Sequence, residues 1–461
     1  PHVVDIVWLA SGEVACSVRF AATACIRELK AQVFELVGVP ASEQRFFSAG
    51  EELDLEDSSL AVKLLALQPL QMLRCVIDPR NTNLGHFRHA GPLEALPGEG
   101  LDKVRILSKS MFGTVWLQRR RRHDGEEELV AVKEMPNEVV FQNDGRETNE
   151  WVAHLDPRNA PCAEDALNEI GIMSYLAKQR DVPVYLLRMF GAFTDSGSTH
   201  VVTEFADGGE LLRLAMSEVK FPEVQLRTYV WQMLQAVKYL HSHNIGHRDI
   251  SLENILLKNG AIRLMDFGMS ALVRQPITGD ALRYFRRVGK DPYRAPECYV
   301  PSGSEIFVFP PHCRGIPGKI AMAISENENW LCQVRLPADM EAGGPCLAEP
   351  WGYTLPPVDT FALGVCFFTL AWHALPWAHA VPSDRYFAFV YARGESGVED
   401  LLCSWKKRPL SPDAMSLLSE LLLPDPAARP SPAECLARPW FTPVARAKVP
   451  VHPSTAAGPL T

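Results

Sequence analysis

Apolar and polar residues alternate from the start of the chain. Residues 3–9 and 14–20 keep the two-residue period of a strand, the second through Val14, Cys16, Val18 and Phe20, around a turn at Ser11-Gly12-Glu13. The period then lengthens. Thr23 is placed to cap a helix carrying Ile26, Leu29, Val33 and Leu36 on one face, closed by Gly38 with Pro40 beyond it. A strand at 45–47, a turn at Ala49-Gly50 and a last strand at 72–77 complete this first region. From 79 to 100, Pro, Gly, Asn and His with little periodicity predict a linker. A second patterned region follows. It predicts two strands with a turn over 107–115, an alternating strand at Val130-Ala131-Val132-Lys133, a helix over 165–177, and strands at 186–193 and 199–205. A periodic helix over 229–241 (Val230, Met233, Leu234, Val237, Leu240) and a hairpin built from Ile255-Leu256-Leu257 and Ile262-Arg263-Leu264 come next. Residues 361–372 are nearly all apolar but shorter than the ~20 residues of a membrane span, which predicts a buried core helix and no span. The Pro/Ala-rich stretch 442–461 predicts a disordered tail.

Composition narrows the class. A chain of 461 residues exceeds one ordinary domain, so two or three are expected. The hydrophobic fraction of 47% with 22% charged residues is that of a soluble globular protein. A net charge of −9 argues against broad nucleic-acid binding. The one basic run, Arg119 to Arg122, falls where a hairpin turn should lie and is expected to be solvated. Eleven cysteines without a CxxC pair predict free thiols in a reducing compartment. No secretory signal is visible, so a cytoplasmic or nuclear location is expected, in a chain that starts on Pro1 as a fragment or trimmed protein would.

The strand–strand–helix–strand order of residues 1–78, and the stretch Val39-Pro40-Ala41-Ser42-Glu43-Gln44-Arg45-Phe46-Phe47-Ser48-Ala49-Gly50, resemble the β-grasp fold of ubiquitin. Asp78-Pro79-Arg80 follows where a conjugated modifier needs its Gly-Gly terminus, so the resemblance implies a fused ubiquitin-like module. Phe47 would centre a docking surface for a protein partner or pack against a neighbouring domain.

Chemistry concentrates later. His247-Arg248-Asp249-Ile250-Ser251-Leu252-Glu253-Asn254 puts an Asp five residues before an Asn, Asp266-Phe267-Gly268 follows, and Ala295-Pro296-Glu297 closes the segment. These motifs, with Lys133 upstream, resemble the protein kinase family over residues 101–441. The resemblance implies an α+β, two-lobed fold: a β-rich N-lobe at 101–206, a helical C-lobe at 207–441 and an insertion at about 298–357. It also implies ATP and Mg²⁺. Asp249 would orient the acceptor hydroxyl, Asn254 and Asp266 would hold the metal, and Lys133, paired with Glu169, would contact the α- and β-phosphates; Glu164 is the alternative partner. Leu107, Ser108, Ser110, Gly113 and Val115 would cover the nucleotide. Val115, Ala131 and Leu256 would sandwich adenine, Thr203 would be the gatekeeper, Glu204 and Ala206 would lie in the hinge, and Glu210 would line the site. Met173, Met189, His247 and Phe267 would stack as a spine, Asp359 would bond back to the catalytic loop, and Arg429 would pair with Glu297.

Several departures bear on activity. Only the last glycine of Gly-x-Gly-x-x-Gly remains, with Ser108 and Ser110 replacing the others. Ser/Thr kinases place Lys two residues after the catalytic Asp; here stand Ser251 and, two further on, Glu253. A missing cation weakens transition-state stabilisation, unless a neighbour such as Arg286 or Arg287 supplies it. Arg248 before the catalytic Asp implies that a phosphate on Ser270, Thr278 or Tyr284 orders the activation segment, whose Arg274, Arg283, Arg286, Arg287 and Arg294 could equally recruit acidic substrates or be solvated. Cys298, His312, Cys313, Cys332 and Cys346 in the insertion lack the paired spacing of a zinc site. The expectation is a Ser/Thr protein kinase acting on protein substrates. The alternatives are a pseudokinase scaffold, favoured by Ser108, Ser110 and Ser251, and phosphorylation of a small molecule.

Overall fold

Among the described residues, twenty strands are laid down in chain order. β1 (His2–Trp8), β2 (Val14–Phe20), β3 (Gln44–Ser48), β4 (Glu51–Glu52) and β5 (Leu70–Arg74) precede β6 (Glu94–Ala95), β7 (Leu101–Ser110), β8 (Gly113–Arg121), β9 (Glu127–Pro136), β10 (Met189–Thr194) and β11 (Ser198–Glu204). Then come β12 (Gly209–Glu210), β13 (Ile245–Gly246), β14 (Ile255–Lys258), β15 (Ala261–Leu264), β16 (Ala271–Leu272), β17 (Ile306–Val308), β18 (Ile320–Ile324), β19 (Leu331–Arg335) and β20 (Cys346–Pro350). The structure, a computed structural model, describes residues 2–8, 14–20, 26–37, 44–48, 51–52, 70–74, 87, 93–95, 100–110, 112–121, 125–141, 164–217, 220–276, 279–308, 317–340, 344–444 and 449–452. The chain divides into two compact units, Pro1–Asn81 with Arg274–Ala281, and Thr82–Val273 with Leu282–Thr461.

In the first unit the sheet order is β2-β1-β5-β3-β4, with β1 and β5 parallel and the other pairs antiparallel. Helix α1 (Ile26–Val37) buries Leu29 and Val33 in one core with Ile6, Val18 and Phe46. Leu36, expected on that face, is 59% exposed. Its place is taken by Val37, which packs against the core, because residues four apart lie above one another on a helix. The last strand is described over Leu70–Arg74, beginning two residues before the expected start; 75–77 and the side chain of Phe47 lie outside the described residues.

The second unit opens on a six-stranded sheet, β6-β10-β11-β9-β8-β7. β9 alternates faces: Val130 and Val132 join Phe193 and Val202 in a core, leaving Ala131 and Lys133 half-buried on the other face. β6 lies inside the expected linker and pairs with β10, while Phe87 and Leu93 pack on the main core, so part of 79–100 belongs to this unit. Three residues of the basic run lie in a strand rather than in the expected turn, and Arg122 lies outside the described residues. Arg119 to Arg121 end β8 opposite Glu127 and Glu128, and cross-strand ion pairs of 3.3–3.6 Å balance their charge.

α2 (Asn137–Val140) begins the expected insertion after β9; residues 142–163 lie outside the described ones. α3 (Ala166–Ala177) is started by Asp165, whose carboxylate accepts from Leu167 N and Asn168 N. α4 (Leu211–Ala215) and α5 (Glu223–Ser242) enter the helical half. α6 (Leu355–Trp372) is apolar on all sides and buried, as such a helix in a folded core must be. Among the described residues it alone is long and apolar enough for a membrane span, with 83% of it buried. α7 (Arg385–Arg393), α8 (Gly397–Ser404), α9 (Pro412–Leu421) and α10 (Pro432–Leu436) complete the unit.

Between Glu297 and α6 the insertion folds as a four-stranded antiparallel sheet, β17-β20-β19-β18, over its own core of Ile306, Val308, Val334, Leu336 and Ala348. Cys332 and Cys346 are core residues of this sheet, and burial pushes the Cys332 thiol up. His312 and Cys313 lie outside the described residues. The tail differs from expectation too. Pro450 O accepts from Val184 N, His452 N donates to Val182 O, and the His452 ring bonds Leu186 O. Backbone groups of 182–186 outside any sheet thereby gain partners.

Candidate active site

Four elements carry the site residues expected from the sequence: β9, α3, the loop from Gly246 to Asn254, and the segment from Asp266 to Glu297. Lys133 and Val115 are cross-strand partners, as are Ala131 with Leu117 and with Thr203, so all project from one face of the sheet. Thr203 Oγ1 donates to Ala131 O. Lys133 Nζ bonds Glu169 Oε2 at 2.6 Å. Burial alone would depress the Lys133 pKa, but the charges of Glu169 and Asp266 outweigh it and hold it raised.

The edge of this face matches the sequence reading in part. Leu107 is half-buried, and Ser108 and Ser110 are exposed on the β7–β8 hairpin. Ser110 Oγ donates to Gly113 O and ties the tip to itself. Gly113 cannot be replaced: a Cβ there would stand 2.0 Å from Glu134 O. Ala206 is buried, and Leu256 faces Glu210 across the β12–β14 pair. The Glu204 side chain points elsewhere, accepting from Arg188 N and pairing with Arg263 and Lys258 at 2.9 and 3.0 Å. Only its backbone is available to a ligand at the hinge.

The catalytic loop is anchored from α6. Asp359 accepts from His247 N, Arg248 N and His241 Nε2 at 2.8–2.9 Å. Burial opposes its charge, yet these bonds hold its pKa below the usual range. Arg248 takes a left-handed φ of 70°, and Asp266 one of 68°. Met173, Met189, His247 and Phe267 are all buried, the last two with ring centroids 5.3 Å apart. Asn168, a residue sequence reasoning missed, donates to Phe267 O and Ser270 O and fixes α3 to this segment. Its neighbour Glu169 drew attention; nothing in the pattern marked Asn168.

Asp249 sits at the centre. Asn254 Nδ2 donates to its backbone oxygen and to Oδ2, both at 2.8 Å. Lys290 N donates to Oδ1 at 3.0 Å, and Lys290 Nζ lies 2.8 Å from Oδ2 and 3.2 Å from Asn254 Oδ1. The neighbouring cation is thus Lys290, not Arg286 or Arg287; the Arg287 guanidinium stacks on Tyr299 at 4.8 Å. Gly289 permits the approach, having φ +80° and room for no Cβ, which would meet Arg248 O at 2.6 Å.

Arginines of the segment are engaged both inside and outside it. Arg283 lies 3.7 Å over Trp351, and Arg294 donates to Val288 O and Gly289 O and pairs with Asp291. Arg248 stacks on Tyr284 and donates to the Tyr353 hydroxyl, which donates to Arg286 O; Tyr284 and Tyr353 also exchange backbone bonds. Of the expected phosphate acceptors, Ser270 and Tyr284 are buried and bonded to His247 O and Leu272 O, and Thr278 lies outside the described residues. Glu297 and Arg429 form a buried bidentate pair at 2.5 and 2.7 Å.

Among the described residues no three His, Cys, Asp or Glu side chains gather as an all-protein metal site would. Mg²⁺ is commonly held by one or two carboxylates plus substrate phosphates, and Asp266 with Asn254 Oδ1 is a donor set of that kind. Nearby, burial and then the charge of Asp266 raise the Glu164 carboxyl to about 7.

Residues 102–306 match the model of the protein kinase domain. Over this stretch the chain is similar to protein kinases. The match ends at the first residue of β17, where the four-stranded sheet begins. Similar curated proteins include protein kinase kin1 of Schizosaccharomyces pombe, 27% identical over 279 residues, 60% of this chain and 23% of that protein. The probable serine/threonine-protein kinase MARK-C of Dictyostelium discoideum is 27% identical over 280 residues, 60% of this chain and 27% of its own. Serine/threonine-protein kinase SIK2 of Gallus gallus is 34% identical over 199 residues, 43% and 21% of the two chains. The chain thus spans about a quarter of the length of these relatives.

Proposed function

We propose that this chain transfers the γ-phosphate of ATP to Ser or Thr hydroxyls of protein substrates. The observation that carries the reading is the joint assembly of Lys133–Glu169 at 2.6 Å and of Asp249 with Asn254 at 2.8 Å. Lys133 is poised for the α- and β-phosphates, its charge secured by Glu169. Asp249, its Oδ2 engaged by Asn254, orients the acceptor hydroxyl and takes its proton. Mg²⁺ held at Asp266 and Asn254 would neutralise the phosphate oxygens. Val115, Ala131, Thr203 and Leu256 supply an apolar slot for the base, and the backbone at Glu204 and Ala206 supplies its polar edge. That relatives such as MARK-C and SIK2 are named serine/threonine-protein kinases supports the choice of hydroxyl. The test is phosphotransfer to a peptide library, wild type beside Asp249→Asn. Incorporation into Ser/Thr peptides that the variant abolishes is expected; equal incorporation by both would overturn the reading.

The N-terminal unit is read as a fused ubiquitin-like module that engages a protein partner in the cytoplasm or nucleus. Its β2-β1-β5-β3-β4 sheet crossed by one helix supports this. Binding of isotope-labelled 1–81 to cell-extract fractions, followed by resonance shifts, tests it; shifts absent from β3 would remove Phe47 from the docking surface.

A further inference from the structure

The catalytic loop of this chain has no cation two or four residues after Asp249. Ser251 is buried, and its hydroxyl has no hydrogen-bond partner; Glu253 carries the opposite charge. Lys290 approaches from the far end of the activation segment, 41 residues along the chain. Three observations show that its position is built rather than incidental. Its backbone N–H and its ammonium take different oxygens of the Asp249 carboxylate, at 3.0 and 2.8 Å. Gly289, before it, has a φ and a clearance that no other residue would meet. Arg294 grips Val288 O, Gly289 O and Asp291, bracing the turn on both sides of Lys290. A solvated surface lysine requires none of this.

We propose that Lys290 is the cation met by the transferring phosphoryl group, the charge absent from position 251 having been relocated to the activation segment. The proposal rests on the kinase reading above. In the step it serves, the acceptor hydroxyl oxygen forms a bond to the γ-phosphorus while the bond to the β,γ-bridging oxygen breaks. The electron pair leaves with ADP, and the hydroxyl proton passes to Asp249. An ammonium has three N–H donors. Two are directed at Asp249 Oδ2 and Asn254 Oδ1, and the third remains for a phosphoryl oxygen; the side chain is 37% exposed, open to a ligand. The same contacts hold the Asp249 carboxylate in place. Orientation of the nucleophile and charge neutralisation therefore converge on one residue of a loop separate from the catalytic loop.

The test uses the full chain as wild type, Lys290→Thr, Ser251→Lys and the double variant. Lys290→Thr removes the long side chain beside Asp249, so the double variant moves one charge rather than adding a second. Losing one preorganised stabiliser costs about 10²–10³ in rate. Lys290→Thr is expected to lower kcat by about a hundredfold with little change in peptide KM, the double variant to regain at least about tenfold, and Ser251→Lys alone to bring no gain. A second readout needs no turnover: calorimetric titration with ATP and with ADP, Mg²⁺ present and peptide absent. The preference for ATP should shrink in Lys290→Thr and return in the double variant. Lys290→Arg, which keeps the charge, covers a folding failure of the Thr variant and should keep that preference. Wild-type kcat in Lys290→Thr, or a loss that charge at 251 does not repair in a protein of unchanged melting, would leave Lys290 a structural tie. A wild type without turnover overturns the kinase reading alone; the ATP-over-ADP preference then decides the role of Lys290.

Discussion

Lys133 is the charge that ties β9 to α3. Its ammonium balances Glu169 at 2.6 Å and feels Asp266. Lys133→Met should abolish phosphotransfer and leave the fold standing, since a buried carboxylate that loses its partner can recover by taking up a proton. Wild-type rates in the purified variant would remove Lys133 from the chemistry. Glu164 makes the opposite case. Its carboxyl is raised from 4.5 to about 7, by burial first and by the charge of Asp266 second, with Lys133 opposing. The folded protein therefore holds this proton more tightly than the unfolded chain. Stability falls as pH rises from 4.5 towards 7, and the full cost of ionisation is present above that. Glu164→Gln should stabilise the metal-free protein at about pH 8 by on the order of 1 kcal/mol, reduced by solvent screening, and hardly at all at about pH 4. Thermal melts at the two pH values check this; equal gains at both would mean that the charge of Glu164 is not what destabilises.

At the scale of elements, the inserted sheet leads into a tie on the activation segment. Tyr353 follows β20, exchanges backbone bonds with Tyr284, accepts from Arg248 and donates to Arg286 O. The arginine expected to answer a phosphate is thus bonded to a neutral hydroxyl. Tyr353→Phe leaves the ring and deletes only that hydroxyl. A buried donor left without its partner costs about 1–3 kcal/mol, so the urea midpoint should fall and the segment should become more open to trypsin. An unchanged midpoint and cleavage rate would show that the backbone bonds suffice.

The whole molecule has two units whose main cores share no residue. Ile6, Val18, Leu29, Val33 and Phe46 form one, and the α5–α6 cluster anchors the other. A chain starting at Thr82 should then unfold in one cooperative transition, because β6, Phe87 and Leu93 of the expected linker go with the kinase unit. Starting at Gly100 instead should lower the midpoint by removing the β6 edge. Loss of cooperativity in the longer truncation would show that the N-terminal unit is part of the kinase fold.

Short motifs that resemble those of the protein kinase family brought Lys133, Glu169, Asp249, Asn254 and Asp266 forward as one site, and alternation with period two or 3.6 marked most strands and helices. Those features are local, so the linear order carries them. The strand at 44–48 and helix α1 were legible for the same reason, while Leu36 was misread because two positions of a short helix compete for one core face. Tertiary structure decided the rest. Lys290 is 41 residues from Asp249, Tyr353 is 105 from Arg248, and Asn168 is 102 from Ser270. No period links such pairs; they meet because a glycine turn, an inserted sheet and a capped helix bring distant backbone to the same carboxylate, guanidinium and carbonyls. The segment 449–452 gained order in the same way, from backbone donors and acceptors at 182–186 that only the folded chain presents.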